Sequence, residues 1–315
     1  MSLLYISQQI TIYLGLFLLI TGVVGNGLLI LTFSAVRTYR KTPCTFYFLI
    51  RSADNIAFIL INLISRIVSA GYGIDLTRTS VVWCKIRQYF VLTLGFISFT
   101  CSCLASIDQF LATSRNANLR RLSNIKWTYR IIVIVLIVCC LHGIPAIIFD
   151  DILPNIQICG ITNESYSIYI TVYVLTFSCI GPIIIMVVFG YLTYHNIHST
   201  RFLAEQQADR QLAQMVLMEV VLVVISISPY SINTLYNLIT SGIVKDTNRL
   251  LIESFIFTIT SQLCYFYYVG SCYMFLISSN RFRRTTKDRL LFWRKRSQIN
   301  PTMRFTTKGQ TLERI

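Results

Sequence analysis

Chemistry in so apolar a chain has to come from the few polar side chains set inside its hydrophobic runs. Asp54 stands in the middle of the run 44–70, and a carboxylate there needs a cation, a proton or several donors to offset its desolvation. Asn26 lies within Gly22-Val23-Val24-Gly25-Asn26-Gly27. The glycines allow close helix approach and the amide can hydrogen-bond across the contact, which makes Asn26 interhelical glue first. Ser98, in the next polar-poor run, offers a further oxygen. Arg51 reads as a side chain that snorkels to the headgroups. Arg66 and Arg87 fall near the outer ends of their runs, as interfacial anchors or as contacts for an anionic ligand. No metal-ligand cluster, nucleophile motif or phosphate loop accompanies them, and His142, His195 and His198 are scattered. Neither an enzyme nor a cofactor or metal site is expected.

The elements that position these residues follow from hydropathy. Of the 315 residues 54% are hydrophobic and 13% charged, and mean hydropathy is +0.62. A water-soluble core of this length cannot hide so much apolar surface, so lipid is the solvent. A spanning helix needs about 20 mostly apolar residues. Seven stretches meet that, at about 8–33, 44–70, 84–110, 129–149, 166–194, 213–240 and 251–277. Barrel strands are far shorter and alternate. The expectation is an all-α, seven-transmembrane helix bundle over 10–278, with an outer N-terminus over 1–9. A cytoplasmic amphipathic helix and tail follow over 279–315, with Phe282, Thr286, Leu290 and Trp293 near helical spacing among basic residues.

Sidedness follows from basic residues. The loop after span one carries Arg37, Arg40 and Lys41, and the loop after span three carries Arg115, Arg120, Arg121, Lys126 and Arg130. Arg201 and Arg210 follow span five, and the tail holds eleven more basic side chains. These segments are expected to be cytoplasmic. The net charge of +15 is thus a topology signal and does not indicate nucleic acid. Met1–Gln9 lack charge and a basic n-region, so span one is expected to be its own signal anchor in the plasma membrane. The sequon Asn163-Glu164-Ser165 falls in the predicted outer loop between spans four and five, a candidate glycosylation site. Of ten cysteines only Cys84 and Cys159 map to the outer face, where a disulfide is permitted. The other eight read as buried small hydrophobes. Pro182 and Pro229 interrupt spans five and six as packing kinks or hinges, and Pro145 reads as ending span four.

In order and spacing these residues resemble a rhodopsin-like (class A) G protein-coupled receptor. The anchors are Gly25-Asn26, Ser52-Ala53-Asp54, Cys84, Ser106 to Thr113, Cys159, Pro182, Pro229, Tyr273 and Ser279 to Arg284. The resemblance implies a ligand bound from outside and a heterotrimeric G protein activated inside, with span six swinging outward. It implies a sodium pocket from Asp54 and Ser98 beside Asn26, and a G protein-facing switch from Asp108, Gln109, Phe110, Asp209, Tyr191 and Tyr273. The chain departs from the family. Asp-Arg-Tyr is here Asp108-Gln109-Phe110, so the arginine is missing and any lock to Asp209 is weaker. Cys-Trp-x-Pro reads Ser226-Ile227-Ser228-Pro229, and Asn-Pro-x-x-Tyr reads Val269-Gly270-Ser271-Cys272-Tyr273, with Gly270 as a source of flexibility. Tyr191 is one residue out of register.

Val91 stands where aminergic receptors carry aspartate, and Leu263 where opsins carry lysine. The mouth offers Arg66, Arg87, Tyr230, Asn233, Tyr236 and Glu253, a polar and aromatic set that favours a peptide. Gln109 keeps a non-coupling decoy or heteromer partner in view. A transporter or channel would need repeats or several mid-membrane charges, whereas one mid-span acid and no repeat are read. Tail threonines such as Thr285, Thr286, Thr302, Thr306 and Thr307 are candidate phosphorylation sites or parts of an inert tail.

Overall fold

The structure, a computed structural model, describes residues 3–154, 157–199, 207–240 and 242–298, without the side chains of 37, 38, 199, 207–209 and 292–298. Among the described residues seven helices are long and apolar enough to cross a membrane: Leu3–Ala35, Pro43–Gly71, Val81–Thr113, Ile125–Phe149, Glu164–His198, Arg210–Ile239 and Thr247–Ser278. These are spans one to seven. Several overrun the hydropathic runs, because 33 residues rise about 50 Å at about 1.5 Å each, and the ends project past the hydrocarbon. Span one already begins at Leu3.

Local signals set the starts. Ser80 Oγ accepts the Trp83 N–H at 3.3 Å, and Asn124 Oδ1 accepts the Lys126 N–H at 2.9 Å. Asn163, the sequon residue, is exposed and caps span five through Oδ1 to the Tyr166 N–H at 2.9 Å. That leaves its Nδ2 outside the cap. Pro145 does not end span four, which continues one turn to Phe149. The proline removes one i→i−4 backbone bond there without ending the helix.

Span two contains two π turns, Ile59–Leu63 and Ile67–Gly71, and span five contains one, Val174–Ile180, just before Gly181-Pro182. Each π turn adds a residue to its turn and rotates the helix beyond it. Spans one, two, three and seven pack side by side, span three also meets four and five, and span six lies between five and seven. Glycines set the close approaches. A Cβ on Gly143 would stand 2.9 Å from the Tyr89 ring and also strike the Thr93 hydroxyl. One on Gly270 would stand 2.9 Å from Leu222. Span seven runs unbroken through Gly270, where the missing side chain admits Leu222 of span six.

Beyond span four, β1 (Asp150–Leu153) pairs antiparallel with β2 (Ile158–Ile161), Ile152 opposite Cys159. Cys84 and Cys159 form a disulfide with Cα atoms 5.6 Å apart, which ties this hairpin to the start of span three. At the other end a helix covers Asn280–Gln298. Its Phe282 is fully buried against Phe33 and Phe275, ring centroids 5.6 and 6.0 Å away. Thr286 is buried and bonds the Thr32 hydroxyl at 3.1 Å, and Thr285 donates to the Arg281 carbonyl. Thr302, Thr306, Thr307 and the Trp293 side chain lie outside the described residues.

Candidate functional site

Among the described residues the bundle interior holds an ion pair between Arg51 of span two and Glu219 of span six, 0% and 1% exposed. Arg51 Nη1 donates to Glu219 Oε1 and to Ser102 Oγ, the latter at 2.7 Å. Its Nη2 donates to Ser271 Oγ at 2.7 Å, and Ser271 donates to Glu219 Oε1 at 3.1 Å. The guanidinium also lies 5.2 Å from the Phe48 ring centroid and 5.8 Å from that of Tyr267. One residue from each of spans two, three, six and seven is thereby closed into a single knot. In this low-dielectric setting the attraction is strong, but each partner alone would be a stranded charge.

The knot continues toward span one. Ser102 and Tyr267 hydroxyls are 2.8 Å apart. Ser98 Oγ donates to Asn55 Oδ1 at 2.7 Å and lies 3.1 Å from the Tyr267 hydroxyl. Asn55 Nδ2 donates to Asn26 Oδ1 at 3.4 Å, and Asn26 Nδ2 donates to the Gly22 and Tyr268 carbonyls at 2.9 Å each. Polar contacts therefore run unbroken from span one to span six.

Several expectations change here. Arg51 does not snorkel, because Glu219 gives it a charge partner inside the bundle. Glu219, in the run 213–240, is a second mid-span acid, so Asp54 does not stand alone in that role. Asn55, rather than Asp54, meets Asn26 and Ser98. Neighbouring helical residues differ by about 100° in direction, so with Asn55 facing inward Asp54 turns aside. Its carboxylate, 8% exposed, lies near the Cys101 and Cys139 thiols, and its Oδ2 has no hydrogen-bond partner. The structure thus joins Asn26 and Ser98 and leaves Asp54 out of their group.

The residues of the expected switch are dispersed. Asp108 and Gln109 are buried, 7% and 1% exposed, with Asp108 within reach of the Ser123 hydroxyl and the Cys44 N–H. Phe110 packs on Phe189 of span five, centroids 5.5 Å apart. Tyr191 is 66% exposed on the bundle's periphery. Tyr273 turns to span one, where its hydroxyl donates to the Thr21 carbonyl at 2.9 Å. The Asp209 side chain lies outside the described residues.

The expected mouth residues fall into two places. Arg66, Arg87 and Tyr230 line one cavity of about 390 Å³ among spans two, three, five, six and seven. Arg87 Nη2 donates to Asn62 Oδ1 at 3.1 Å, and the Arg66 guanidinium lies 5.2 Å from the Phe257 centroid. Asn233, Tyr236 and Glu253 line a separate groove between spans six and seven. There Glu253 accepts from Tyr236 at 2.9 Å, Lys245 at 2.6 Å and Arg249 at 3.0 Å, so its charge is committed. In the hairpin, burial raises the Asp150 carboxyl to about 6, with Lys85 opposing the rise. In the loop after span two, burial would raise Asp75, but bonds from Thr77 and Arg78 outweigh it and hold the carboxyl low.

The family model described as 7 transmembrane receptor (rhodopsin family) matches residues 25–273. No curated protein sequence matches the chain. The matched segment runs from Gly25 to Tyr273 and contains every member of the buried network apart from the Gly22 carbonyl.

Proposed function

Since the chain belongs to the rhodopsin family of seven-transmembrane receptors, we propose that it binds an extracellular ligand, a peptide by preference, at its hairpin end and activates a heterotrimeric G protein at its tail end. The basic loops, the sequon and the disulfide pair support the hairpin end as the outer one. The observation that carries the switching part is the Arg51–Glu219 pair. Glu219 lies ten residues before Pro229, on the side of the proline toward the tail end. Outward movement of that half of span six separates Glu219 from Arg51, and the pair therefore holds the resting arrangement. It does for spans two and six what a span-three arginine does in the family at large, which accounts for a neutral Gln109. Agonist then acts by favouring the separated arrangement through its differential affinity.

The test is a G protein activation panel on cells displaying the full chain, challenged with a peptide library. Activation of any subtype supports the proposal. Silence across all subtypes, with surface display confirmed, favours the decoy or heteromer reading that Gln109 motivates.

A further inference from the structure

The two arginines of the interhelical cavity have no carboxylate with them. Its lining includes Arg66 and Arg87 but neither aspartate nor glutamate. The Nε atoms of both guanidiniums are buried without a hydrogen-bond partner. Their neighbours are neutral: Asn62 for Arg87 and the Phe257 ring for Arg66. The acid that acts on Arg87 is Asp75, whose carboxylate is already held by Thr77 and, at 3.2 Å, by Arg78. Two like charges facing one largely apolar space repel, and among the described residues neither has a paired counter-charge to offset its desolvation. The lower wall is apolar and aromatic, with Val91, Phe99 and Ile227.

We propose that this cavity takes a ligand with an anionic head and an apolar body, the head a carboxylate held between Arg66 and Arg87. The proposal rests on the receptor reading and specifies the ligand of that site. A guanidinium presents a planar fork of donors that matches a carboxylate two bonds at a time. The same pair rejects cations by repulsion, so selectivity comes from both signs of charge. A volume of about 390 Å³ sits near the low end of the roughly 300–1,000 Å³ of small-ligand sites. It admits a medium-chain acid whole, or the last residues of a peptide with its terminal carboxylate leading. Asn62 orients Arg87, and the Phe257 ring lies against the Arg66 guanidinium at 5.2 Å.

The experiment reads thermal stabilisation of the purified full-length protein, which needs no G protein and so can fail independently of the signalling reading. One arm uses octanoate, decanoate and dodecanoate against their methyl esters. The other uses short peptides ending in an apolar residue, with free against amidated C-termini. Stabilisation by free acids of either arm and not by their neutral forms is expected, and the arm that responds identifies the source. Arg66→Gln and Arg87→Gln should each weaken it about ten- to a hundred-fold. Arg66→Lys and Arg87→Lys, which keep the charge, should recover part of it, and Arg121→Gln, exposed at the opposite end of the bundle, should not change it. Equal stabilisation by esters or amides, an unchanged response in both glutamine variants, or no response to any free acid at millimolar concentration would overturn the proposal.

Discussion

Glu219→Gln removes one charge from the buried knot and keeps its shape. Breaking a buried ion pair by deleting one partner costs about 3–5 kcal/mol, because the survivor is left uncompensated. Here Ser102 and Ser271 still accept from Arg51, each at 2.7 Å, and the glutamine Oε1 remains an acceptor. The loss should therefore fall at the lower end, about 3 kcal/mol. The pair joins span two to span six, so that loss comes off the resting arrangement alone. At about 1.4 kcal/mol per factor of ten, it is roughly a hundred-fold shift. A protein with about 1% of molecules in the separated arrangement would then have about half of them there. The assay is basal nucleotide exchange on membranes with matched surface display, and thermal unfolding of the purified protein gives the same comparison without a G protein. Arg51→Leu with Glu219→Leu together leaves no stranded charge and should fall back toward the parent in both readouts, since an apolar pair of similar volume is often neutral. If Glu219→Gln changes neither basal exchange nor unfolding, or if the double variant is the sum of its singles, the knot is not what holds span six.

Separate parts of the molecule carry expectations of their own. Cys84→Ser or Cys159→Ser should each cost about 2–5 kcal/mol and lower surface display, measured by flow cytometry; full display of both would sink the role given to the disulfide. Gly143→Ala should lower the unfolding temperature by an amount equivalent to about 1–3 kcal/mol, because the added methyl meets Tyr89 at 2.9 Å; an unchanged temperature would mean that spans three and four part freely. The Asp150 carboxyl is raised to about 6. The folded hairpin thus holds its proton more tightly than the unfolded chain. Its stabilising contribution is full below the ordinary carboxylate range and is lost as pH rises through about 6. Thermal unfolding at pH 5 and 7 should show this difference in the parent and a smaller one in Asp150→Asn. Gln109→Arg should raise agonist-driven exchange if the missing arginine limits coupling, and no change would place the limit elsewhere.

Hydropathy made the seven spans legible, because length and apolarity are properties of each segment by itself. The glycine-asparagine contact in span one was equally local. Neither the partner of Arg51 nor the orientation of span two could be read that way. Arg51 and Glu219 are separated by 168 positions and meet only after spans three and seven have fixed the spacing between two and six. The choice between Asp54 and Asn55 turns on about 100° of rotation, which tertiary packing decides. Six mouth residues on four spans read as one surface in sequence, whereas packing put three into the cavity and three into a groove between spans six and seven. Tyr273 kept its position along the chain but faces span one, and Tyr191, one residue out of register, faces the periphery. Spacing locates a residue along an axis and leaves its direction to the neighbours.

The Arg51–Glu219 pair also has a consequence for how the protein is made. Span two leaves the ribosome well before span six, so each charge enters the bilayer without its mate. An arginine at the centre of an inserting helix costs about 2.5–3.5 kcal/mol in translocon measurements, and Arg51, nearer the start of Pro43–Gly71, costs less than that. Until Glu219 arrives, Ser102 of span three is the first partner Arg51 can find, and snorkelling toward headgroups is the interim alternative. Span two should therefore linger beside the translocon or a membrane insertase until the sixth helix is threaded. A chain truncated after span five should be recognised by quality control and degraded faster than one truncated after span six.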